Sequence, residues 1–351
     1  MNTREIISGI LEIYKDISID FDVYIIADVQ EYTVKESDDR ISHADESEFF
    51  SRTEFAEIAS ALFHVFGFAK VFYNEISFVE YFIRNKIDPN ECIVYNLSRD
   101  GKCAGKKSLI PAFCDLYGIR YTGCNAFVIS LLRNKAIYSD VLSCHGISVP
   151  RMVTYSTDNS KPEDIIEVFE NKEILIKNVD ESASIGLRPS CRMVLTRDNI
   201  SDFCTTAESV NAHNVLVQEY IDGIECEVLV IQHKGEYYAL NPVRLSFPAG
   251  KEFLDTYMSN SYEYGFELLS GEEYLPIQKA AVQAAKVLGI KDYARFDFRV
   301  REGIPYLIDI AGTPYTIFHS SIAFLFEQYG FEYEDIYKVI VTCMLSNYKN
   351  T

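Results

Sequence analysis

The chain has no C-x-x-C pair, no run of roughly 18 apolar residues, no G-x-x-x-x-G-K-[ST] loop and no excess of base. Each absence removes a class of function. The nine cysteines (92, 103, 114, 124, 144, 191, 204, 226 and 343) are odd in number and scattered, so neither a disulfide framework nor a zinc site is signalled, and reduced thiols are expected. Without a long apolar run there is no membrane-spanning helix. The first twenty residues, MNTREIISGILEIYKDISID, lack the basic, apolar, small order of a signal peptide, which makes the cytoplasm the expected compartment. Thirty-three basic against fifty-two acidic residues give a formal charge of -19 with no local basic patch, and such a chain repels a nucleic-acid backbone. No internal repeat and no low-complexity linker interrupt the sequence.

What remains is a folded chain of 351 residues, 48% apolar, long enough for two or three domains. Apolar runs predict strands at 22–27 (DVYIIA), 69–73 (AKVFY) and 92–96 (CIVYN). Helices are predicted from Thr53 to near Gly67, over 75–85 and in KSLIPAFCDLYG, and this alternation predicts a parallel sheet with crossover helices. A polar stretch, EYTVKESDDRISHADESEFF, reads as a long loop. After a helical pair, NAFVISLLRNKAIYSDVLSCHG, strands EILIKNV (173–179), CRMVL (191–195) and NVLVQEY (214–220) and the hairpin ECEVLVIQHKGEYYAL predict an antiparallel unit. An aromatic, loop-like segment (LSFPAGKEFLDTYMSNSYEYGF) precedes a helix (IQKAAVQAAKVLG), a second hairpin and a last helix, YEDIYKVIVTCML.

Four stretches carry candidate chemistry. In YARFDFRVREGIPYLIDIAGTPY, strand alternation puts Arg295 and Asp297 on one face and Phe296 and Phe298 on the other. Arg301-Glu302-Gly303 reads as a three-residue loop, which sets Arg295 opposite Asp309 with Asp297 a diagonal neighbour at about 7 Å. A cation could bridge the two acids, or the face could simply be wet. In EILIKNVDESASIGL, Lys177 ends an apolar strand and a loop with Ser182 and Ser184 follows, a combination that holds polyphosphate or is solvated surface. In LVQEYIDGIECEV, Gln218-Glu219-Tyr220-Ile221 could border a purine, with Glu225 within reach of ribose hydroxyls; a plain hairpin is the alternative. Lys135, in LLRNKAIYSDVL, lies on a helix from which it could also snorkel into water.

The order of these pieces, together with LIPAFCDLYGIRYTGCNAFVISLLRNKAIYSDVLSCHGISVP, resembles the ATP-grasp superfamily and within it the D-alanine-D-alanine ligases, from about Asn96 to the C-terminus. The resemblance implies an α/β (α+β) ATP-grasp fold: an N-terminal Rossmann-like parallel-sheet domain over 1–124, a central ATP-grasp subdomain over 125–215, and a C-terminal one over 216–351 holding the metal and substrate site. It also implies ATP as substrate with Mg2+, one ion or two, and Mn2+ as a substitute. Lys135 and Lys177 match the two nucleotide-phosphate lysines, and Glu181, Ser182 and Ser184 match the mobile loop over the phosphates. Gln218, Glu219 and Ile221 fall at the adenine strand and Glu225 at the ribose acid. Asp297 and Asp309 match the magnesium acids, Arg295 the arginine that steadies the transferred group, and Ser320 the serine that receives a substrate carboxylate. The implied activity joins two small amino-acid-like substrates through an acyl phosphate, and relatives are usually homodimers.

The departures matter. Ala311 replaces an asparagine, Asp309 a glutamate, Ala183 a serine and Tyr315 a glycine, while the family's loop lysine falls near Ser259 and Lys251 cannot be placed by spacing. The Gly-rich, glutamate-containing N-terminal start is missing, so a first substrate other than D-alanine is expected. Aromatic residues of FLDTYMSNSYEYGFELL are candidates to wall it or to pack on the sheet. A D-alanine-D-alanine ligase of cell-wall synthesis and a degenerate nucleotide-binding protein without ligase activity stand as alternatives. His145 and His213 read as surface or helix-end residues, and only His319, beside Ser320, as a pocket residue.

Overall fold

The computed structural model describes residues 2–35, 46–179 and 184–348. In the N-terminal unit, α1 (Thr3–Lys15) starts at a capping box between Asn2 and Glu5 and buries Ile6, Ile7 and Ile10. There follow β1 (Asp22–Ala27), a short α2 (Tyr32–Lys35), α3 (Arg52–Phe66), β2 (Lys70–Phe72), α4 (Glu75–Asn85), β3 (Cys92–Leu97), α5 (Leu109–Tyr117) and β4 (Arg120–Tyr121). The strands form a parallel sheet in the order β2-β1-β3-β4. β1 and β3 are apolar and buried nearly throughout because helices cover both faces. A second capping box, Ser51 with Glu54, starts α3.

Helices α6 (Ala126–Leu132) and α7 (Lys135–Cys144) follow, each started by an asparagine cap. Next come β5 (Met152–Ser156), α8 (Pro162–Phe169), β6 (Glu173–Asn178), β7 (Arg192–Val194), α9 (Ile200–Val210) and β8 (Asn214–Glu219). Their antiparallel sheet runs β5-β8-β6-β7, with Ile166, Phe169 and Phe203 in its core. β8 extends across the division expected at 215/216 and pairs in this sheet through Glu219. Helices α6 and α7 send Val128, Leu132, Tyr138 and Leu142 into the core of the following unit.

That unit comprises β9 (Ile224–His233), β10 (Glu236–Ala239), β11 (Val243–Ser246), α10 (Thr256–Ser261), β12 (Gly265–Leu268), α11 (Leu275–Leu288), β13 (Tyr293–Arg301), β14 (Ile304–Ala311), α12 (Ser321–Gln328) and α13 (Tyr333–Tyr348). Its sheet order is β12-β11-β9-β13-β14, with β10 also on β9. Helix α13 is buried between this sheet and the N-terminal unit, sharing one core with α1, α3 and β1. All nine cysteines are free, and among the described residues no helix is long and apolar enough to cross a membrane. The segment read as one aromatic loop holds the end of β11, all of α10 and the start of β12; α1, α8, α9 and α12 were likewise not expected.

The β13–β14 hairpin corrects the expected register. Its loop has two residues, Glu302 and Gly303, both at positive φ (53° and 77°), the conformation of the tight hairpin turn that matches strand twist. Ile308 is then an extra, unpaired residue in a bulge. Each change moves the pairing by one in the same sense. Asp297 therefore stands directly opposite Asp309, and Arg295 opposite Ala311.

Candidate active site

Directly opposite residues of neighbouring strands present their side chains to the same face. Asp297 is opposite Glu227 on β9 as well as Asp309 on β14, so three carboxylates form a row across three strands. This row is the floor of a cavity of about 470 Å³ between the three sheets. Arg295 lies beside the row, donating from Nε and Nη2 to the two oxygens of Asp297 at 2.8 Å each, with Nη2 3.2 Å from Glu227. Ser321 donates its hydroxyl to the other oxygen of Glu227.

The environment separates the three acids. Burial pushes Glu227 up to about 7, against the pull of Arg295, and raises Asp297 against the same guanidinium. Burial also acts on Asp309, but Lys135 and Lys177 outweigh it and hold that carboxyl below its usual value. Lys135, buried at the start of α7, lies 3.0 Å from Asp309, which also accepts from Tyr138 at 3.1 Å and from its neighbour's N–H at Ile310, 2.9 Å. Lys177 enters the cavity from β6, and burial lowers it to about 8 despite Asp309. Asp297 and Asp309 thus offer facing hard oxygens on a cavity floor, the donor type that magnesium takes together with phosphate and water.

The cavity wall over Lys177 is Leu175, Gln218, Tyr220 and Ile221. Gln218 is buried, and its Oε1 has no hydrogen-bond partner. An unused acceptor on an apolar wall suits the exocyclic amine of a purine. Strand alternation turns Glu219 the other way, toward Arg301 at 3.6 Å, so its side chain does not line the cavity. Glu225 does line it but already has a companion, Arg299 Nε at 3.8 Å; Arg299 also donates to the carbonyls of Gly223 (3.3 Å) and Glu252 (2.6 Å). Burial raises Glu225.

Glu181 and Ser182 lie outside the described residues. Ser184 lines the cavity at φ 57°, and its carbonyl accepts the hydroxyl of Thr256, which also donates to Leu187 O at 3.0 Å. The segment at 184–187 and α10 are therefore latched together. Ser259 lines the cavity, whereas Lys251 is engaged with Asp255 at 3.2 Å. Ser320 reaches the cavity wall, but its hydroxyl caps α12, donating to Ile317 O (2.7 Å) and accepting from Ala323 N (3.1 Å). Its availability to a substrate carboxylate is reduced accordingly. Tyr262, Tyr264, Phe266 and Tyr315 wall this end around His319, whose pKa burial lowers. His145 and His213 are exposed.

The end of the cavity nearest the parallel sheet holds residues the sequence reading missed. Glu48, almost fully buried, receives Lys106 (2.7 Å), Lys107 (3.1 Å) and Arg133 (3.9 Å). The Arg99 guanidinium packs against the rings of Phe50 and Tyr315, 4.3 and 4.0 Å from their centroids, and the two rings meet edge to face at 86°. A local basic cluster therefore exists where no basic patch was expected. Its members come from positions 99, 106–107 and 133, and only folding assembles them. Glu227 and Arg299 were also missed, although the alternation that exposed Glu225 carries Glu227 to the same face.

Residues 141–342 match the family model described as D-ala D-ala ligase C-terminus. A D-alanine--D-alanine ligase of Cupriavidus taiwanensis is 24% identical over 250 residues, covering 70% of this chain and 74% of that protein. Two solved structures share the fold: D-alanine--D-alanine ligase from Bacillus anthracis complexed with ATP (TM-score 0.64, 17% identity, 93% of this chain and 97% of that one) and the VanG D-Ala:D-Ser ligase from Enterococcus faecalis (TM-score 0.65, 18% identity, 93% and 99%).

Proposed function

This chain belongs to the D-ala D-ala ligase C-terminus family, and we propose from that premise that it is an ATP-dependent ligase forming an amide bond between a carboxylate and an amine of two small amino-acid-like substrates. The observation that carries the reading is the facing pair Asp297 and Asp309 on the cavity floor, flanked by Arg295, Lys135 and Lys177.

ATP lies with its base against Leu175 and Ile221, its amine toward Gln218 Oε1, and its phosphates toward Lys177 and Lys135. Asp297 and Asp309 would hold Mg2+ (Mn2+ equally), which when bound neutralises charge on the phosphate oxygens. The carboxylate of one substrate attacks the γ-phosphorus, ADP leaves, and an acyl phosphate forms. The amine of the second substrate attacks the acyl carbon, and phosphate leaves. Arg295, fixed by both oxygens of Asp297 and by Glu227, presents its remaining N–H edge to the oxyanion without having to reorganise. The latch from Thr256 to residues 184 and 187 holds two lids over the site and keeps water from the acyl phosphate. Use of ATP and nine scattered cysteines with no disulfide framework fit the cytoplasm.

The test is phosphate release with Mg2+ and ATP against amino acids singly and in pairs. Release that depends on a pair is the expected result; silence across a broad panel contradicts the ligase and favours nucleotide binding alone.

A further inference from the structure

In the parallel sheet the chain runs from β1 outward to β2 and then returns to the far side of β1 as β3, so the strand order reverses between β1 and β3. Sheets of this kind receive ligands in the crevice beyond the strand C-termini at such a reversal. Here that crevice opens into the cavity, and Arg99 occupies it, two residues beyond the end of β3. Its backbone is fixed: Asp28, just past β1, accepts the N–H groups of Arg99 (2.5 Å) and Asp100 (3.0 Å), while Asn96 accepts the N–H and hydroxyl of Ser98 at 3.1 and 2.8 Å.

The side chain is 3% exposed and packs against the rings of Phe50 and Tyr315, yet few of its donors are used. A guanidinium has five N–H donors. Among the described residues its side chain has one hydrogen-bond acceptor, Thr313 O at 3.2 Å from Nη2; its Nε has none, and no carboxylate lies within ion-pair distance. Packing against these rings leaves donors on the guanidinium edge unused, and a guanidinium edge receives a planar carboxylate in bidentate fashion. A second cation, Lys107, lines the same end of the cavity; burial lowers it to about 7 against the attraction of Glu48, with Arg133 and Arg99 lowering it further. Glu48, the acid beside Lys107, sits among three cations, whose charge disfavours an ammonium group next to it.

Resting on the ligase reading and deepening it, we propose that Arg99 with Lys107 forms a carboxylate-binding subsite. The substrate at this end is an acidic one: one carboxylate is activated at the Asp297 and Arg295 floor, and a second, non-reacting carboxylate is seated on Arg99. Arg99 is a specificity-determining residue in this scheme and takes no part in the bond changes.

Calorimetry on the full chain saturated with Mg2+ and a non-hydrolysable ATP analogue tests this, with succinate, glutarate and adipate set against butyrate, valerate and hexanoate. At least one dicarboxylate should bind about tenfold to a hundredfold more tightly than its monocarboxylate match, the range of a charge-assisted hydrogen-bonded pair. Arg99→Gln should abolish that preference and leave analogue affinity unchanged, and Arg99→Lys, which keeps charge but loses the fork, should restore part of it. Equal affinities in the unmodified protein, or a preference that survives both substitutions, overturns the subsite. Failure of the ATP analogue to bind at all is a different result, and it takes the ligase reading down as well.

Discussion

Asp297 and Asp309 stand directly opposite each other on β13 and β14, and the same guanidinium that grips Asp297 by both oxygens also reaches Glu227. Arg295 is thereby oriented before any substrate arrives. Arg295→Ala should lower ligation turnover by at least about a hundredfold, the effect of losing one preorganised oxyanion donor, about 2.7–4 kcal/mol. Arg295→Lys, which keeps charge without the fork, should fall between the two. Steady-state phosphate release measures this, and an unchanged rate rejects the role.

Lys177 is lowered to about 8 by burial, so in the free protein it is charged below that pH and neutral above it. A nucleotide phosphate favours the charged form. Affinity for ATP should be flat at acidic to neutral pH and fall as pH rises beyond about 8. Lys177→Arg keeps its charge throughout and should lose this slope. Fluorescence titration of a nucleotide analogue across pH 6 to about 9.5 decides between the two profiles.

Asp28 is raised from 3.8 to about 7 by burial, with Asp100 adding to the rise and the N–H groups of Arg99 and Asp100 opposing it. Glu75, on α4, is raised as well, with Asp28 among its causes. A carboxyl whose folded pKa is raised holds a proton that the unfolded chain gives up, so its stabilising contribution is complete below about pH 4 and lost as pH rises through about 7. The melting temperature should fall over that window, and Asp28→Asn should flatten the fall. A steeper fall in the variant contradicts the assignment.

Gly223 turns the chain from β8 into β9 at φ 140°, and a Cβ there would lie 2.0 Å from the carbonyl oxygen of Val300. Gly223→Ala should destabilise the protein by about 1–3 kcal/mol or more and disturb Arg299, which donates to the Gly223 carbonyl. Urea denaturation gives the number, and a variant as stable as the parent refutes the close approach.

Thr256 ties α10 to the loop at 184–187 through its hydroxyl. Thr256→Val should leave the fold intact while raising phosphate release without ligated product several-fold, because water then reaches the acyl phosphate. The ratio of phosphate to amide product is the readout, and an unchanged ratio removes the latch from the mechanism.

The parts of this molecule legible in the sequence are those whose signal is local. DVYIIA gave β1 to the residue because a strand buried on both faces is one apolar run, and α4 was delimited equally well. β11 and β12 were invisible: each is four residues long, and their pairing depends on distant partners, β11 on β9 and β12 on β11. In the candidate site, Lys135, Lys177, Arg295, Asp297 and Asp309 were singled out in the sequence and lie near one another in the fold, but the hairpin register was not legible, because a shorter loop and the Ile308 bulge both shift it. Arg99, Lys107 and Glu48 come from separate segments with no periodicity to link them, and only the topology of the parallel sheet and α3 brings them to one crevice.

The account depends on a nucleotide whose phosphates rest over Lys177, Lys135 and the two aspartates. Calorimetric titration of the full chain with a non-hydrolysable ATP analogue and Mg2+ tests that most directly, alongside Lys177→Met and Asp309→Asn. Saturable one-to-one binding, weakened in both variants and dependent on Mg2+, is the predicted result. No binding with abundant Mg2+, or binding indifferent to both substitutions, contradicts it.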